Sequence, residues 1–563
     1  MSQTAAARYL SALAEHGIDS IFVNAGTDFA PIVEAYAANA KQANGPALPK
    51  PVLCAHENLA GGMAHGAALI SGQPQAVMLH VNVGTANVSC AVANAARDRV
   101  PLLVTAGRSP ILEGGVVGAR DLPIHWSQEM FDQASLVREF VKWDYELRDA
   151  RQVDAVVDRA LSVATAHPRG PVYLALPREV LAEADDGPAG ERLRTPVPSA
   201  VWPDPDAVEE LADRIAAAEF PVIVATASGI EPESVALLTA CAEQYAIGVA
   251  DPWHRFLNIA ANHAHRLGPD INGVLKKADV IVFLESDVPW IDAHGSPSPD
   301  CFIAQVGVDP LYTDYPIRSH RSDLNVAATP SAFLSRLTAA LAERAQHIDM
   351  ARGERIRAAA TTHHDAIAAI RAQETSDDSG APITKNTISA VLGELLGEDD
   401  IVFNEYVSTP CLLNRTKPGT YYFLPASGGL GWGLPAALGA KYAAPDRTVI
   451  ATLGDGAYMF ANPAACHHAA AKHDLPVLTI LANNCNWWAV DLATQLVYPD
   501  GRADAEERFS NLSPSPEFAA YCTASGGYGV TVHKRSELRA ALQEALRVVR
   551  EEGRQALVDV RCA

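Results

Sequence analysis

The amino-acid sequence predicts an α/β protein of three doubly wound domains with mainly parallel sheets. Three observations predict it: a length of 563 residues, short apolar runs that alternate with alanine-rich helical segments, and two polar breaks in that alternation. At about 150 residues per domain, such a length suggests three or four domains, because one core rarely organises so many residues. Alternating strands and helices are typical of βα units around a parallel sheet.

The N-terminal domain is predicted over residues 1–182. Its strands are predicted at the apolar runs SIFVNAG, AVMLHV, PLLVTAG and PVYLALP. The next stretch, EADDGPAGERLRTPVPSAVWPDPD, is rich in Pro, Asp and Gly and interrupts the periodicity. Such a composition is typical of a linker, so the first domain boundary is predicted there.

The pattern then resumes in two further domains, predicted over residues 200–345 and 375–563. The central domain has strand-like runs at FPVIVATAS, AIGVADPW, ADVIVFLESD and FIAQVGVDP, followed by a charged helical run. After the polar segment TSDDSGAPIT, the C-terminal domain has runs at DDIVFNE, TYYFLPA, RTVIATLG and LPVLTILANN. Each run is followed by residues that favour turns.

Charge and composition exclude several classes of partner. The chain carries 44 basic and 66 acidic residues, a formal net charge of −22. Nucleic acid and anionic membrane surfaces would repel it. No apolar run approaches the roughly 18 residues of a membrane span, and the nine cysteines form no CxxC pair. The sequence therefore predicts a cytoplasmic protein that binds neither nucleic acid nor membrane.

The segment LGDGAYMFANPAACHHAAAKHDLPVLTILANN predicts a strand, a helix and a second strand. Asp455 and Asn484 would then lie at the carboxyl ends of parallel strands, where such sheets bind ligands. Gly454 and Gly456 permit a tight turn and let backbone N–H groups approach an anion. One carboxylate, one amide oxygen and a backbone carbonyl suit Mg²⁺ completed by phosphate oxygens. A metal-diphosphate site is predicted, the alternative being a turn whose aspartate caps a helix.

GDG followed by NN resembles the thiamine-diphosphate motif of the superfamily of pyruvate decarboxylase, acetolactate synthase and benzoylformate decarboxylase. IFVNAGTDF, LHVNVGTAN and YYFLPASGGLGWGLPAALGA also resemble its motifs, most of all in benzoylformate decarboxylase-like and acetolactate synthase-like members. The resemblance covers essentially the whole chain. It implies pyrimidine-binding, central and diphosphate-binding domains, with Mg²⁺ held by Asp455, Asn484 and the backbone carbonyl of Asn486.

The same resemblance implies the residues that hold the cofactor. Glu57, in VLCAHENLAGG, would hydrogen-bond the aminopyrimidine ring and activate the cofactor, although a glutamate there also suits a helix N-terminus. The Gly428 carbonyl would accept a hydrogen bond from the ring's amino group, and Leu430 would hold the cofactor bent. The diphosphate would contact Ser408, Gly456 and Ala457.

Besides Glu57, four residues are candidates for catalysis. His80 stands where benzoylformate decarboxylase has a catalytic histidine and would shuttle protons, the alternative being a structural histidine. Thr27 stands where that enzyme has an active-site serine. Gln128 resembles a glutamine of acetolactate synthases and favours carboligation. His294, two residues after Asp292, lies near the place of a second histidine.

The resemblance implies non-oxidative decarboxylation of a 2-oxo acid that depends on thiamine diphosphate and Mg²⁺, with carboligation of the resulting carbanion-enamine to an aldehyde or 2-oxo acid. It also implies a homodimer or dimer of dimers with active sites between subunits. One alternative is an acetolactate synthase-type or 2-hydroxyacyl-CoA lyase-type enzyme, with FAD or a nucleotide in the central domain. FAD is not expected, although the sequence does not exclude it. Another alternative is a cofactor-binding protein that does not catalyse.

Overall fold

The structure, a computed structural model, describes residues 4–42, 45–184, 194–376, 380–503 and 508–563. Within these residues the strands form three six-stranded sheets, and neighbouring strands are parallel wherever their register is recorded. The predicted α/β class is therefore confirmed. Residues 185–193 of the predicted linker and residues 377–379 of the second polar break lie outside the described residues. The domain boundaries stay a prediction.

The first sheet has the strand order β2-β1-β3-β4-β6-β5. Its strands are β1 (Ser20–Val23), β2 (Lys50–Leu53), β3 (Gln75–Leu79), β4 (Leu102–Arg108), β5 (Asp144–Glu146) and β6 (Val172–Pro177). The helices of this region are α1 (Ala5–Glu15), α2 (Ala30–Ala40), α3 (Glu57–Ser71), α4 (Val81–Arg97), α5 (Ile124–Ser127), α6 (Val153–Thr165) and α7 (Arg178–Ala182). Since β1 and β3 are parallel neighbours, with Val23 opposite Met78, the turns that follow them lie at one edge of the sheet.

The second sheet has the order β12-β11-β10-β7-β8-β9. Its strands are β7 (Pro221–Ala225), β8 (Gly248–Ala250), β9 (Arg266–Gly268), β10 (Val280–Leu284), β11 (Phe302–Gly307) and β12 (Leu324–Ala327). The helices of this region are α8 (Pro205–Ala217), α9 (Pro232–Gln244), α10 (Ile271–Lys277), α11 (Pro330–Glu343) and α12 (Arg352–Glu374). The strand order reverses between β7 and β10, the position at which open α/β sheets commonly bind nucleotides.

The third sheet has the order β14-β13-β15-β16-β18-β17. Its strands are β13 (Ile401–Glu405), β14 (Tyr421–Phe423), β15 (Val449–Gly454), β16 (Val477–Asn483), β17 (Tyr528–Val532) and β18 (Ala556–Arg561). The helices are α13 (Lys385–Leu395), α14 (Pro410–Leu413), α15 (Gly433–Ala443), α16 (Asp455–Phe460), α17 (Pro463–Lys472), α18 (Trp488–Val497), α19 (Phe518–Thr523) and α20 (Arg535–Glu551). Short 3₁₀ helices span Thr27–Phe29, Gln133–Leu136, Ala150–Gln152, Ser228–Ile230 and Ala345–His347.

Two local predictions differ from the structure. The sequence predicts a turn at GDGA, but α16 begins directly at Asp455. The charged helical run after the central domain is two helices, α11 and α12, because the 3₁₀ helix Ala345–His347 separates them. The predicted runs also do not include the strands β2, β5, β9, β12, β17 and β18, most of which are short or lie toward a sheet edge.

The chain divides into two compact units. The first comprises Met1–Pro198, Leu424–Thr531 and Glu544–Asp559, and the second comprises Ser199–Phe423, Val532–Gln543 and Val560–Ala563. Most of the predicted site residues belong to the first unit. Among the helices of the described ranges, none combines the length and apolarity that crossing a membrane would require.

In the second unit, the buried side chain of Arg352 joins the ends of two helices. Its guanidinium donates to the carbonyl oxygens of Ile215 and Ala218 at the end of α8, at 2.6 and 2.8 Å, and to that of Tyr245 after α9, at 2.7 Å. The last carbonyls of a helix have no partner within the helix. One cation at the start of α12 therefore satisfies the carboxyl ends of both α8 and α9.

In the first unit, α3 and α15 pack backbone against backbone. A Cβ atom placed on Gly66 would lie 1.9 Å from the carbonyl oxygen of Ala436, and one placed on Gly439 would lie 1.9 Å from that of Met63. Only a residue without a side chain permits this approach. The helix that begins at Glu57 is thereby fixed against the helix of the GGLGWGLPAALGA motif.

We expect Gly66→Ala to destabilise the protein by about 1–3 kcal/mol, because the added methyl group must separate the two helices. Alanine is the better helix former by about 1 kcal/mol, so propensity alone predicts the opposite sign. The measurement is the midpoint of thermal unfolding. Gly114→Ala is the control, since its Cβ would meet no atom within 4 Å. Equal midpoints for both variants would contradict the packing argument.

Candidate active site

The third sheet brings the two halves of the GDG and NN motif together. β15 and β16 are parallel, and their last paired residues are Gly454 and Ala482. Asp455 follows β15 directly and Asn484 follows β16 directly. The predicted arrangement of strand, helix and strand is thus observed, and both side chains lie at the same sheet edge.

The carboxylate of Asp455 is buried against the loop after β16. Its Oδ1 accepts a hydrogen bond of 2.8 Å from the backbone N–H of Gly456. Burial raises the pKa of this carboxyl group, while backbone hydrogen bonds from Gly456, Cys485 and Asn486 lower it. The Asp455 carboxylate therefore contacts the segment that carries the other predicted metal ligands.

Two oxygens at this place fit a bound cation. The Oδ2 of Asp455 and the Oδ1 of Asn486 are both buried, and neither has a hydrogen-bond partner in the described residues. Buried polar atoms are nearly always paired, so a carboxylate and an amide oxygen without partners suit a hard cation such as Mg²⁺. Across the described ranges, no group of three or more His, Cys, Asp or Glu side chains could hold a metal. The unpartnered amide oxygen belongs to Asn486, whereas the sequence predicts the Asn484 side chain and the backbone carbonyl of Asn486 as ligands.

Neighbouring residues hold the loop after β16 in one conformation. The Nδ2 of Asn486 donates to Asp491 at 2.5 Å, and the backbone N–H of Asn486 donates to the Oδ1 of Asn484 at 3.2 Å. The backbone N–H of Trp487 donates to the carbonyl of Ser510 at 2.9 Å. These contacts orient the Asn486 amide so that its oxygen is the end left unpartnered.

Gly456 lies directly under the indole ring of Trp487. A Cβ atom at Gly456 would lie 2.3 Å from the ring atoms Cδ1 and Nε1, whereas one at Gly454 would meet nothing within 4 Å. The second glycine of GDG is therefore required by a close contact inside the protein. The first is free of such a contact.

Glu57 is the first residue of α3 and is buried, with 8% of its surface exposed. His56 caps the helix, because its Nδ1 accepts a hydrogen bond of 3.1 Å from the N–H of Asn58. One carboxylate oxygen of Glu57 accepts a hydrogen bond of 3.1 Å from the amide of Asn87 on α4. The carboxylate is thus held by its helix and by one amide.

The turn that carries Gly428 and Leu430 is fixed by Asn94. The Oδ1 of Asn94 accepts hydrogen bonds from the Ser427 hydroxyl and from the N–H of Gly429, and its Nδ2 donates to the Gly429 carbonyl at 2.9 Å. Asn94 is 3% exposed and lies on α4. Gly428 itself has a φ of 68°, which a glycine adopts without strain.

His80 forms a close pair with Asp28. Its Nδ1 lies 2.5 Å from the Oδ1 of Asp28, and its Nε2 lies 3.3 Å from the side-chain amide of Gln128. Asp28 is buried in the 3₁₀ helix after β1, while Thr27 beside it is exposed. Of the five predicted catalytic residues, Glu57 included, the structure therefore brings His80 and Gln128 into contact.

Three predicted site residues remain: Ala457, Ser408 and His294. Ala457 is on α16 next to Gly456. Ser408 and His294 belong to the second unit. Ser408 is buried and its N–H donates to Asn404 at 2.8 Å, whereas His294 is exposed in a turn closed by a bond to Ile291. The roles of all the named site residues stay predictions.

Sequence reasoning did not identify Asp28, Asn87 or Asn94. Asn87 and Asn94 are seven residues apart on α4, two helical turns, so they lie on one face of that helix. That spacing could have indicated from the sequence that both asparagines face the same side of α4. Asp28 directly follows Thr27 in the motif GTDF, and an aspartate at that place has an ordinary alternative role in the first turn of a helix.

Two protein-family models match the N-terminal and the C-terminal part of the chain. Residues 407–560 match the family model "Thiamine pyrophosphate enzyme, C-terminal TPP binding domain", and residues 3–136 match the corresponding N-terminal TPP binding domain. The two matches contain Glu57, His80, Asp455 and Asn484.

Relatives that match almost the whole chain are named for different reactions. The chain is 28% identical to benzoylformate decarboxylase of Pseudomonas aeruginosa, over 95% of each chain. It is 26% identical to sulfoacetaldehyde acetyltransferase of Rhodobacter capsulatus, over 97% of this chain and 92% of that one. The crystal structure of benzoylformate decarboxylase from Polynucleobacter necessarius superposes with a TM-score of 0.80, at 20% identity, over 100% of this chain and 99% of that one. That likeness supports the fold.

We expect Gly456→Ala to lower the midpoint of thermal unfolding of the cofactor-free protein, because its methyl group must displace the Trp487 ring. The cost of such overpacking is about 1–3 kcal/mol. Displacement should also make tryptophan fluorescence easier to quench with acrylamide. Gly454→Ala is the matched control on the other side of Asp455, and its midpoint and quenching should stay close to those of the wild type. A larger change in the control would refute the contact.

Proposed function

Because the chain belongs to the thiamine pyrophosphate enzyme family, we propose that it catalyses the non-oxidative decarboxylation of a small 2-oxo acid. The fragment that remains is released as an aldehyde or joined to an aldehyde or a second 2-oxo acid. The observation that carries this proposal is the pair of buried oxygens on Asp455 and Asn486, without a hydrogen-bond partner in the described residues, at the start of α16 and in the loop after β16.

When bound, thiamine diphosphate supplies a nucleophilic carbon and an electron sink for loss of carbon dioxide. Asp455, Asn484 and the Asn486 carbonyl would hold Mg²⁺. The diphosphate would contact Ser408, Gly456 and Ala457. The unpartnered side-chain oxygen of Asn486 offers a further donor at the same place.

The N-terminal domain would hold the other end of the cofactor. Glu57 would hydrogen-bond a ring nitrogen of the aminopyrimidine and thereby promote proton transfer at the reactive carbon. Burial of the carboxylate supports this role, because an acid–base group works best where water does not compete. Leu430 would hold the cofactor bent, and the Gly428 carbonyl would accept a hydrogen bond from its amino group. Asn94 supports both by fixing their turn.

His80 would transfer the proton that determines which product is formed. An imidazole whose pKa is near neutrality can give a proton to the carbon that has lost carbon dioxide, which yields an aldehyde. Gln128 contacts His80 and would line the acceptor side of the site. Thr27 would contribute a hydroxyl. We place His294 last among the candidates, because it is exposed and belongs to the second unit.

The relatives support two outcomes of one reaction. Benzoylformate, in the name of the decarboxylase, is a 2-oxo acid, and sulfoacetaldehyde acetyltransferase is named for the transfer of an acetyl group to an aldehyde. A carboligase or acyltransferase is therefore the second candidate, favoured by the contact of Gln128 with His80. Decarboxylation is the shared step.

In the central sheet, the side chain of Asn258 occupies the turn that follows β7. The Oδ1 of Asn258 accepts hydrogen bonds from the Ser228 hydroxyl at 3.0 Å and the Gly229 N–H at 2.8 Å. Its Nδ2 donates to the carbonyls of Ala225 and Thr226 at 3.0 and 3.1 Å. These backbone groups follow β7, at the reversal of strand order, and they are engaged by Asn258. Because these groups are not available to a phosphate group at this turn, the contact favours the proposal over the alternative with FAD or a nucleotide in the central domain.

The test is carbon dioxide release from pyruvate, 2-oxobutyrate and benzoylformate in the presence of thiamine diphosphate and Mg²⁺. We expect release from at least one acid, without absorbance from flavin in the purified protein. Glu57→Gln should reduce release by about a hundredfold or more, since acid–base groups contribute 10²–10⁴-fold. Product analysis with and without an added aldehyde separates decarboxylase from carboligase. Full activity of a folded Glu57→Gln protein would refute the role of Glu57.

We further propose that two copies of the chain form each active site. Several large apolar side chains of the first unit are exposed, and they cluster in the segment that follows β4 and in α18: Val116, Val117, Phe131, Leu496 and Val497. Large apolar side chains that are exposed near one another in the sequence favour an interface with another chain. A second copy would cover these residues and supply Glu57 from one chain and Asp455 from the other.

Mixing two inactive variants tests this arrangement. Glu57→Gln and Asp455→Ala should each be inactive alone, the second because it no longer binds Mg²⁺ and the diphosphate. In a hybrid dimer one site would carry both changes and the other neither. Coexpression should therefore restore about a quarter of the wild-type sites if the dimers assemble at random. No recovery, in a mixture shown to contain hybrids, would mean that each site is built from a single chain.

A further inference from the structure

A buried carboxylate, Asp28, lies beside the proposed proton donor. β1 and β3 are adjacent parallel strands, so the residues that follow them meet at one sheet edge. Asp28 is 4% exposed, and its Oδ1 lies 2.5 Å from the Nδ1 of His80. The pair is formed by two turns that are 52 residues apart in the sequence.

Two glycines make room for this pair. A Cβ atom at Gly26 would lie 2.1 Å from the Nδ1 of His80, and one at Gly107 would lie 1.6 Å from the Oδ2 of Asp28. Any side chain at either position would displace one partner. The backbone of β4 and of the turn after β1 therefore accommodates the imidazole and the carboxylate together.

The second oxygen of Asp28 has no partner. Its Oδ2 is buried and makes no hydrogen bond to any described residue. A buried carboxylate oxygen without a hydrogen-bond partner costs stability, and a role in proton transfer would explain why it is retained. Asp251 also has one such oxygen while its other oxygen accepts from Arg266, so the case for Asp28 depends on its contact with His80.

The contacts of His80 determine which nitrogen exchanges a proton. The Nδ1–H donates to Asp28, so Nε2 is the nitrogen with a free electron pair in the neutral ring. The amide of Gln128, 3.3 Å away, can donate to the neutral ring through its NH₂ group and accept from the protonated ring through its oxygen. Nε2 therefore has a partner in both charge states.

The charged groups near the ring favour its protonated form. The hydrogen bond that the Nδ1–H of His80 donates to Asp28 raises the pKa of His80, burial lowers it, and the charges of Asp28 and of Glu57 on α3 raise it. Gln128, the contact on the remaining side, is neutral. The ring consequently keeps its proton at a higher pH than an isolated histidine would.

We propose that Asp28 is the positioning residue that makes His80 a proton donor through Nε2, and that it thereby directs the reaction toward aldehyde. This inference rests on the proposed function. In the step, the Nε2–H bond breaks and a C–H bond forms on the carbon that has lost carbon dioxide. The ring is left neutral and recovers its proton from water, so no oxidant or reductant is required.

Asp28→Asn tests the inference first in the cofactor-free protein. The substitution keeps the shape of the side chain and removes its charge. Diethyl pyrocarbonate reacts with neutral imidazole, so the pH dependence of His80 modification, followed by mass spectrometry, reports the pKa of that ring. We expect the midpoint to move down by about 1 pH unit or more, since a paired charge shifts a pKa by 1–3 units. The exposed His533 of the same protein is the internal reference and should not move.

The second readout is the product of the loaded enzyme. With Asp28→Asn we expect a smaller share of aldehyde and a larger share of hydroxyketone among the products of the same 2-oxo acid. Asp158→Asn is the matched control, because it breaks another aspartate–histidine pair, Asp158 with His16 at 3.1 Å between α6 and α1. It should change neither the His80 midpoint nor the product ratio. Gly107→Ala, which must displace Asp28, should reproduce both effects and serves if Asp28→Asn does not fold.

The outcomes distinguish the inference from the proposed function. An unchanged His80 midpoint and product ratio in folded Asp28→Asn and Gly107→Ala, with decarboxylation intact, would overturn the role of Asp28 alone. Absence of carbon dioxide release from every 2-oxo acid by the wild type would overturn the proposed function, although the His80 midpoint could still move. A shifted midpoint without a changed product ratio would show that Asp28 sets the ring's charge but not the fate of the substrate, which also refutes the proposal.

Discussion

The backbone contact between α3 and α15 is the constraint on which the arrangement of the first unit depends. Gly66 and Gly439 let each helix reach the carbonyl oxygens of the other. Glu57 begins α3, and the turn with Gly428 and Leu430 leads directly into α15. Because helices are stiff, fixing one crossing point limits where both of these ends can lie. Asn94 adds a polar contact to the same turn, so packing and hydrogen bonding specify one geometry.

Among the buried polar side chains, those that are fully hydrogen-bonded differ in position from those that keep an oxygen without a partner. Asn94 and Asn258 satisfy their amides fully with neighbouring groups and thereby stabilise turns. Asp28, Asp455 and Asn486 each keep one buried oxygen without a partner in the described residues. These three residues follow strands of two different sheets. Folding alone favours pairing such atoms, so these three oxygens are consistent with the proposed metal site and proton transfer.

The sequence predicted the fold class, most of the central strands and the meeting of Asp455 with Asn484, because these follow from local periodicity and from the rule for parallel strands. It did not reveal Asp28. The neighbour order β2-β1-β3 is a long-range property, so no local pattern shows that the turn after β1 contacts His80. Thr27, the residue chosen in that turn, is exposed, while the buried residue is the next one. Asn94 was missed for the same reason, since its partners Ser427 and Gly429 are 333 and 335 residues away.

Relatives of this chain are named for different reactions although they match it over almost its whole length. The two curated relatives match almost the whole chain at 28% and 26% identity, yet one is named a decarboxylase and the other an acetyltransferase. Whatever separates them is therefore compatible with one fold. Residues in turns at strand ends can change without disturbing the sheet, because their backbone is anchored by the strand while their side chains face the site. Asp28 and His80 follow β1 and β3 in this way, and Gln128 contacts His80. If the proposal for Asp28 holds, a change in one of these three side chains would alter the fate of the substrate while the GDG motif stays the same.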